Sequence, residues 1–229
     1  MSQPPPAGGP APAGSIESLY PFLYAGRTDV SGLLEQVRAS TVAKAEEIIE
    51  LRRAACTRYG PSLAACAEEL AGRFAAGGRL LAFGNGGSAT DAQQLVTVFA
   101  EPGGTARPLP ALGLASDPSV LTALANDVGT DVVFARQVAA LGRPADIAVG
   151  LSTSGNSENL LRAFDTAAAL GMLTVGLAGY AGGRMAELDS IHYLFVAPSA
   201  SVHRIQEAQT TMYHALWELC QAALGPGAP

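Results

Sequence analysis

Five short apolar runs, each followed by a helix-like stretch, constrain this 229-residue chain more than any other feature. Each run has the length of a strand, and polar or glycine-rich turns separate it from a segment with helical periodicity. Strands that alternate with helices in this way favour a parallel sheet with helices on both faces. We therefore predict an α/β fold, a doubly wound five-stranded parallel sheet flanked by helices. The predicted strands are 79–83, 109–114, 146–151, 173–177 and 191–196.

The residues before the first run divide into a tail and two helical segments. Residues 1–28 are rich in Pro, Gly and Ala and end in a more apolar arm, and this composition predicts a disordered tail. Helical spacing predicts one helix over 29–58 and a second over 61–76, with Pro61 in its first turn. We expect the two helices to form an N-terminal hairpin.

Composition limits the size, the partners and the compartment of the protein. A chain of this length forms one sizeable domain, which we assign to 29–225 and which a helix over 201–224 completes. The net charge of −6 and the lack of a basic cluster argue against nucleic acid, and no apolar run is long enough to cross a membrane. The three cysteines show no framework spacing, and the N-terminus lacks signal-peptide features, so we expect a cytoplasmic protein.

A hydroxyl-rich turn, LSTSGNS at 151–157, follows the third run and precedes an amphipathic segment. The start of a helix presents unpaired N–H groups and the positive end of the dipole, which suits a phosphate. The turn contains no Lys or Arg, which favours a small monophosphate over a polyanion. Taken alone, the heptapeptide is equally compatible with an ordinary strand-to-helix turn. Its four hydroxyls belong to Ser152, Thr153, Ser154 and Ser157.

A second turn, GNGGS at 84–88, follows the first run. Since the carboxyl ends of parallel strands meet at one edge of the sheet, where ligands bind in this architecture, the two turns reinforce one another. Together they predict one site for a phosphate-containing ligand.

Five longer motifs include these turns and extend them along the chain. They are GNGGSATDAQ (84–93), DPSVLTALANDVGTDVVFARQV (117–138), LSTSGNSENLLRA (151–163), GYAGGRMAEL (179–188) and HRIQEAQ (203–209). In this order they resemble the sugar isomerase (SIS) domain, and within it the bacterial phosphoheptose isomerases, which interconvert sedoheptulose 7-phosphate and an aldoheptose 7-phosphate. The resemblance extends over 33–224. It implies a flavodoxin-like sheet, a sugar-phosphate ligand and a homotetramer with shared active sites.

The resemblance also implies which residues bind the ligand. The hydroxyl-rich turn matches the family's phosphate loop, the first turn matches residues that contact the sugar phosphate, and one aspartate matches an acidic position that lines the site. In chain order the predicted binding positions are Asn85, Gly86, Ser88, Asp117, Ser152, Thr153, Ser154, Ser157 and Gln206.

The catalytic positions implied by the resemblance are only half retained. In phosphoheptose isomerases a glutamate is the base, a histidine is its counterpart, and many members bind zinc through a histidine, that glutamate, a glutamine and the second histidine. The matching positions here are Gln94, Val98, Gln206 and His214. Valine can neither accept a proton nor bind a metal, and two amides with one imidazole are a poor zinc site, so we predict no metal. We retain Gln206 and His214, which share one helical face, as the catalytic candidates.

Three other groups near these positions could serve as a base. Glu101 lies three residues beyond Val98, and His203 and Glu207 flank Gln206. Residues of these types are more often solvated or structural than catalytic.

Two functions remain open on this basis. One is an isomerase that acts through His214 with an altered base, which the retained Gln206 and His214 favour. The other is a non-catalytic phosphosugar- or protein-binding regulator of the kind represented by the bacterial replication-initiator-associating protein, which Val98 favours. An amino-sugar isomerase or synthase is disfavoured, because the only lysine, Lys44, is far in sequence from every motif.

Overall fold

A computed structural model describes residues 30–225 of the chain. Within this range there are six α-helices and five strands, and the tail and arm predicted for 1–28 lie outside it. The helices are α1 (Val30–Ala75), α2 (Gly87–Ala100), α3 (Pro118–Asp127), α4 (Val133–Leu141), α5 (Glu158–Ala169) and α6 (Val202–Leu224). The strands are β1 (Leu80–Gly84), β2 (Ala111–Gly113), β3 (Ile147–Ser152), β4 (Leu173–Gly179) and β5 (Tyr193–Ala197).

The five strands form one parallel sheet in the order β2-β1-β3-β4-β5. Strands β1, β3 and β4 are buried along their whole length, which explains their continuous apolar character. Helices α1, α2 and α6 contribute to the core on one face of the sheet, and α3, α4 and α5 contribute to the core on the other. The predicted doubly wound parallel sheet is confirmed.

The predicted N-terminal hairpin is wrong, because α1 continues through Pro61 without a break. Its buried face runs along the helix at intervals of three and four residues on both sides of the proline, from Leu51 through Tyr59 and Leu63 to Phe74. Burial of this stripe outweighs the backbone hydrogen bond that a proline removes. The Ser62 hydroxyl, next to the proline, donates to the carbonyl of Tyr59 at 3.0 Å.

The first turns of α1 belong to a separate compact unit, 1–45, and the sheet belongs to the second unit, 46–229. Within the described part of the first unit, Leu33, Leu34 and Val37 expose about half of their surface or more. These apolar side chains do not mark a bilayer segment, since no helix within 30–225 is both long and apolar enough to cross a membrane.

The close packing of β3 against aromatic rings yields a stability prediction. A Cβ added at Gly150 would lie 2.5 Å from Cζ of Phe164 and 2.8 Å from Cε2 of Phe83, both rings being fully buried. We expect Gly150→Ala to lower the free energy of unfolding in urea by about 1–3 kcal/mol, the usual cost of overpacking.

The matched control is Gly72→Ala, in the exposed interior of α1 with no atom near the new methyl group. It should raise stability by about 0.5–1 kcal/mol, because alanine is the better helix former. Equal stability of the two variants would contradict the packing described for β3.

Candidate functional site

The carboxyl ends of β1 and β3 define the candidate site. The two strands pair in register up to Gly84 and Leu151. From β1 the chain crosses to β2 on one side, and from β3 it crosses to β4 on the other, so the winding reverses between them. Ligands of open α/β sheets bind at such a reversal. The turns at 85–86 and 153–157 therefore lie side by side, as predicted.

Two asparagine side chains join these turns. Asn85 donates from Nδ2 to Oδ1 of Asn159 at 2.9 Å, and Asn159 donates from Nδ2 to Oδ1 of Asn85 at 3.0 Å. Asn159 lies in the first turn of α5, so this reciprocal pair attaches the turn after β1 to the helix that follows the second turn. Sequence reasoning selected Asn85 and missed Asn159, whose only signal was its place in the same SGNSEN motif.

The hydroxyl-rich turn orders itself through its own backbone. The Ser152 Oγ accepts the N–H of Gly155 at 3.1 Å and lies 3.3 Å from the Ser157 Oγ, and the Ser154 Oγ accepts the N–H of Asn156 at 3.2 Å. Ser157 precedes α5 without forming a side-chain cap. Because the Ser154 oxygen accepts from the backbone, its hydroxyl proton can still be donated to an anion at the start of the helix. Within the Ser152–Ser157 pair one hydroxyl donates to the other, which leaves one further proton for the anion.

The turn after β4 packs against the hydroxyl-rich turn and donates hydrogen bonds to it. Gly155 has φ +68, and a Cβ there would collide with the carbonyl of Gly182. The N–H of Met185 donates to the Gly155 carbonyl at 2.9 Å, and the N–H of Arg184 donates to Oδ1 of Asn156 at 2.9 Å. The GYAGGRM motif, to which sequence reasoning gave no role, thus holds the shape of the turn.

Two arginines neutralise the carboxylate nearest to the turn. Glu158 opens α5 and receives hydrogen bonds from Arg184 Nη1 at 2.6 Å and from Arg162 Nε at 3.0 Å, which lower its pKa. Arg162 also pairs with Asp131 at 2.9 Å. The acidic residue beside the turn is therefore compensated, and both guanidinium groups are already engaged by carboxylates.

Gln206 lies against the first turn of α2. Its Nε2 donates to Oδ2 of Asp91 at 2.9 Å, and a Cβ added at Gly87 would lie 2.6 Å from the same nitrogen. Burial raises the pKa of the Asp91 carboxyl, and the hydrogen bond from Gln206 offsets part of that rise. Asp91 lies in the GNGGSATDAQ motif, but sequence reasoning did not select it as a site residue.

Gln209, one turn further along α6, reaches the carboxyl end of β3. It is fully buried, with Nε2 at 3.5 Å from the carbonyl oxygen of Ser152. Its Oε1 has no hydrogen-bond partner within the described residues. Helix α6 therefore approaches both turns through Gln206 and Gln209, and the second of these was missed in the sequence.

Two further predicted residues have structural contacts of their own. His214 is half-buried and stacks on the ring of Tyr213, with centroids 5.1 Å apart. Asp117 is exposed and caps α3, where its Oδ1 accepts the N–H groups of Ser119 at 2.8 Å and Val120 at 3.2 Å. Neither contact is with a residue of the two turns, so the site roles of His214 and Asp117 stay predictions.

The donor set does not fit a zinc ion. Gln94 is exposed, and Val98 is half-buried against the apolar core and offers no ligand atom. No group of three or more His, Cys, Asp or Glu side chains within 30–225 lies in a position to hold a metal ion. Helix α2 also ends at Ala100, so Glu101 is an exposed residue beyond its last turn.

Comparisons with known proteins agree with this architecture. A model of the SIS domain matches residues 45–179, which include both turns. A phosphoheptose isomerase of Aquifex aeolicus (strain VF5) is 42% identical over 179 residues, 76% of this chain and 91% of that protein. The structure of a phosphoheptose isomerase from Neisseria gonorrhoeae superposes with a TM-score of 0.74 at 35% identity, covering 83% of this chain and 99% of that one. One from Francisella tularensis gives 0.75 at 30% identity, covering 82% and 98%.

The asparagine pair predicts an energetic coupling between the two turns. In a double-mutant cycle of Asn85→Ala and Asn159→Ala, followed by urea unfolding, we expect a coupling energy of about 0.5–3 kcal/mol, because each variant removes both shared hydrogen bonds. As a control, Asn126→Ala removes only a bond to the adjacent Asp127 and should be additive with Asn159→Ala. Additivity in both cycles would mean that the pair does not join the turns in solution.

Proposed function

We propose that this chain, which belongs to the SIS domain family, binds a sugar phosphate and interconverts its ketose and aldose forms without a metal ion. The observation that carries the proposal is the hydroxyl-rich turn at the start of α5, held beside the turn after β1 by the Asn85–Asn159 pair. The first turn would contact the sugar, and the second would hold the phosphate.

The donors of the site favour a single phosphate group. The turn at 153–157 supplies neutral hydroxyls and helix amides, and the two nearest arginines are paired with Glu158. Neutral donors and a helix dipole suit a monoester phosphate, whereas a polyphosphate would require free cations. The similar proteins named phosphoheptose isomerase make a heptose 7-phosphate the first ligand to test.

The acid-base chemistry is proposed to proceed through side chains alone. Aldose-ketose isomerisation moves one proton between two neighbouring carbons and one between their oxygens. We assign the oxygen protons to His214, whose imidazole has one ring nitrogen that can donate a proton and one that can accept it. Gln206, fixed by its bond to Asp91, directs its remaining amide oxygen as an acceptor for a substrate hydroxyl.

We further propose a cytoplasmic homotetramer. Exposed Leu33, Leu34 and Val37 on the first turns of α1 support self-association, because monomeric proteins rarely expose a run of large apolar residues. Multi-angle light scattering should give the wild-type protein a molar mass four times the chain mass of 23.3 kDa. Leu34→Glu with Val37→Glu should lower that mass, and Lys44→Ala, an exposed change on the same helix, should not. An unchanged mass of the double variant would exclude this surface from the interface.

Turnover of sedoheptulose 7-phosphate tests the proposed reaction directly. NMR should show formation of the aldoheptose phosphate at the same rate with a chelator and with added zinc. His214→Ala should slow it by about 100-fold or more, the usual contribution of an acid-base group. Turnover that requires zinc would show that the metal prediction is wrong, and binding without turnover would support the regulatory alternative.

Loss of two hydroxyls tests the phosphate turn. Ser154→Ala with Ser157→Ala should weaken sugar-phosphate binding in calorimetry by at least about tenfold, because a hydrogen bond to a charged group contributes about 1.5–3 kcal/mol. Ser190→Ala is the control, since its hydroxyl bonds Asp165 and its carbonyl lies at the amino end of β4, the opposite edge of the sheet. Equal sugar-phosphate affinities of the two variants would show that this turn does not bind the phosphate.

A further inference from the structure

Asp91 has the surroundings of a reactive carboxylate and not those of a structural one. Asp146 shows the contrast: it is buried, and its two oxygens accept the backbone N–H groups of Arg79 and Arg143 together with the Arg79 side chain. Asp91 is half-buried, receives one neutral donor, Nε2 of Gln206, and forms no ion pair within the described residues. Its second oxygen, Oδ1, accepts no hydrogen bond from the described residues and is open to solvent, so it is free to meet a ligand.

Its position places this free carboxylate at the candidate site. Asp91 lies one turn into α2, and α2 begins directly after the turn at 85–86. The amide that bonds it also lies over Gly87, so the carboxylate, the amide and the helix start form one cluster.

The other carboxylates around the site are engaged or distant. Glu158 is held by two arginines, Glu207 by Arg204, and Asp117 by the first amides of α3. Glu101 is exposed beyond the end of α2. Asp91 differs from these described carboxylates in three ways. It is partly buried, it is not paired with a cation, and it contacts a site residue, Gln206.

We propose that Asp91 is the general base that moves the carbon-bound proton in the reaction proposed above. An Asp91 oxygen takes the proton from C1 of the ketose, the C–H electron pair forms the C1–C2 double bond, and the C2 carbonyl π pair moves to O2, which takes a proton from a neighbouring donor. The resulting enediol accepts the proton of the Asp91 carboxylic acid at C2. O1 returns a proton to the same neighbour as the C1 carbonyl forms, so the carboxylate and the donor are both restored.

This inference rests on the proposed function, and the test separates the two. The full-length protein is incubated with sedoheptulose 7-phosphate in D₂O, and NMR follows both aldose formation and deuterium at C1 and C2. Asp91→Asn keeps an acceptor for Gln206 and removes only basicity. It should lose turnover and deuterium exchange by about 100-fold or more while keeping wild-type affinity in calorimetry.

Two further variants complete the design. Asp91→Glu, which retains a carboxylate, should keep measurable exchange, and Glu207→Gln, next to Gln206 and exposed, should behave as wild type. Wild-type rates in Asp91→Asn would overturn the inference and leave the proposed function intact. Loss of sugar-phosphate binding in that variant, with an unchanged circular dichroism spectrum, would make Asp91 a binding residue and also overturn it. Wild-type protein that binds the ligand without any exchange would reject both the base and the isomerase reaction, leaving ligand binding alone.

Discussion

The pairing of β1 with β3 is the interaction on which the rest of the structure depends. Five consecutive residues of each strand are in register, and the pair ends at Gly84 and Leu151. Gly84 permits this end to be crowded, since a Cβ there would lie 2.6 Å from the Ser88 carbonyl oxygen and 3.0 Å from that of Leu151. Because the strands stop together, two turns that are separated by more than sixty residues in sequence meet at one edge, and the Asn85–Asn159 bonds can form.

Features that depend on local composition were predictable from the sequence. Features that depend on contacts between side chains distant in sequence were not. The strands were predicted because buried parallel strands are apolar without interruption, and the two turns because glycine and serine follow the first and third of them. The continuity of α1 was not predictable, because the rule that proline begins a helix competed with a buried stripe. Some partners of this stripe are distant in sequence, such as Val196, whose N–H donates to the Tyr59 hydroxyl. The same reason hid Asn159 and Gln209, which have meaning only beside their distant partners.

Helix α6 fixes the distance between the two halves of the site. Gln206 contacts α2, and Gln209, one turn later, contacts the end of β3. One helix thus relates the carboxylate of Asp91 to the backbone carbonyl of Ser152. A fixed spacing of this kind would orient a ligand that contacts both turns. The buried Oε1 of Gln209 has no hydrogen-bond partner within 30–225, which costs about 1–3 kcal/mol, and such local costs are typical of sites that serve a ligand and not the fold.

Helix α2 carries both the departure from the family pattern at Val98 and the carboxylate proposed as the base. Asp91 and Val98 are seven residues apart, two turns along the same face of the helix, and only Asp91 carries a charge. A metal ion stabilises the negative charge of an enediolate, so the metal-free reaction proposed above relies on proton transfer and on neutral hydrogen bonds. The hydroxyl-rich turn, the amide of Gln206 and the imidazole of His214 are groups of that kind. Apolar packing at Val98 and the carboxylate at Asp91 are therefore compatible with the proposed reaction, in which the base lies one turn into α2 and transfers protons without a cation.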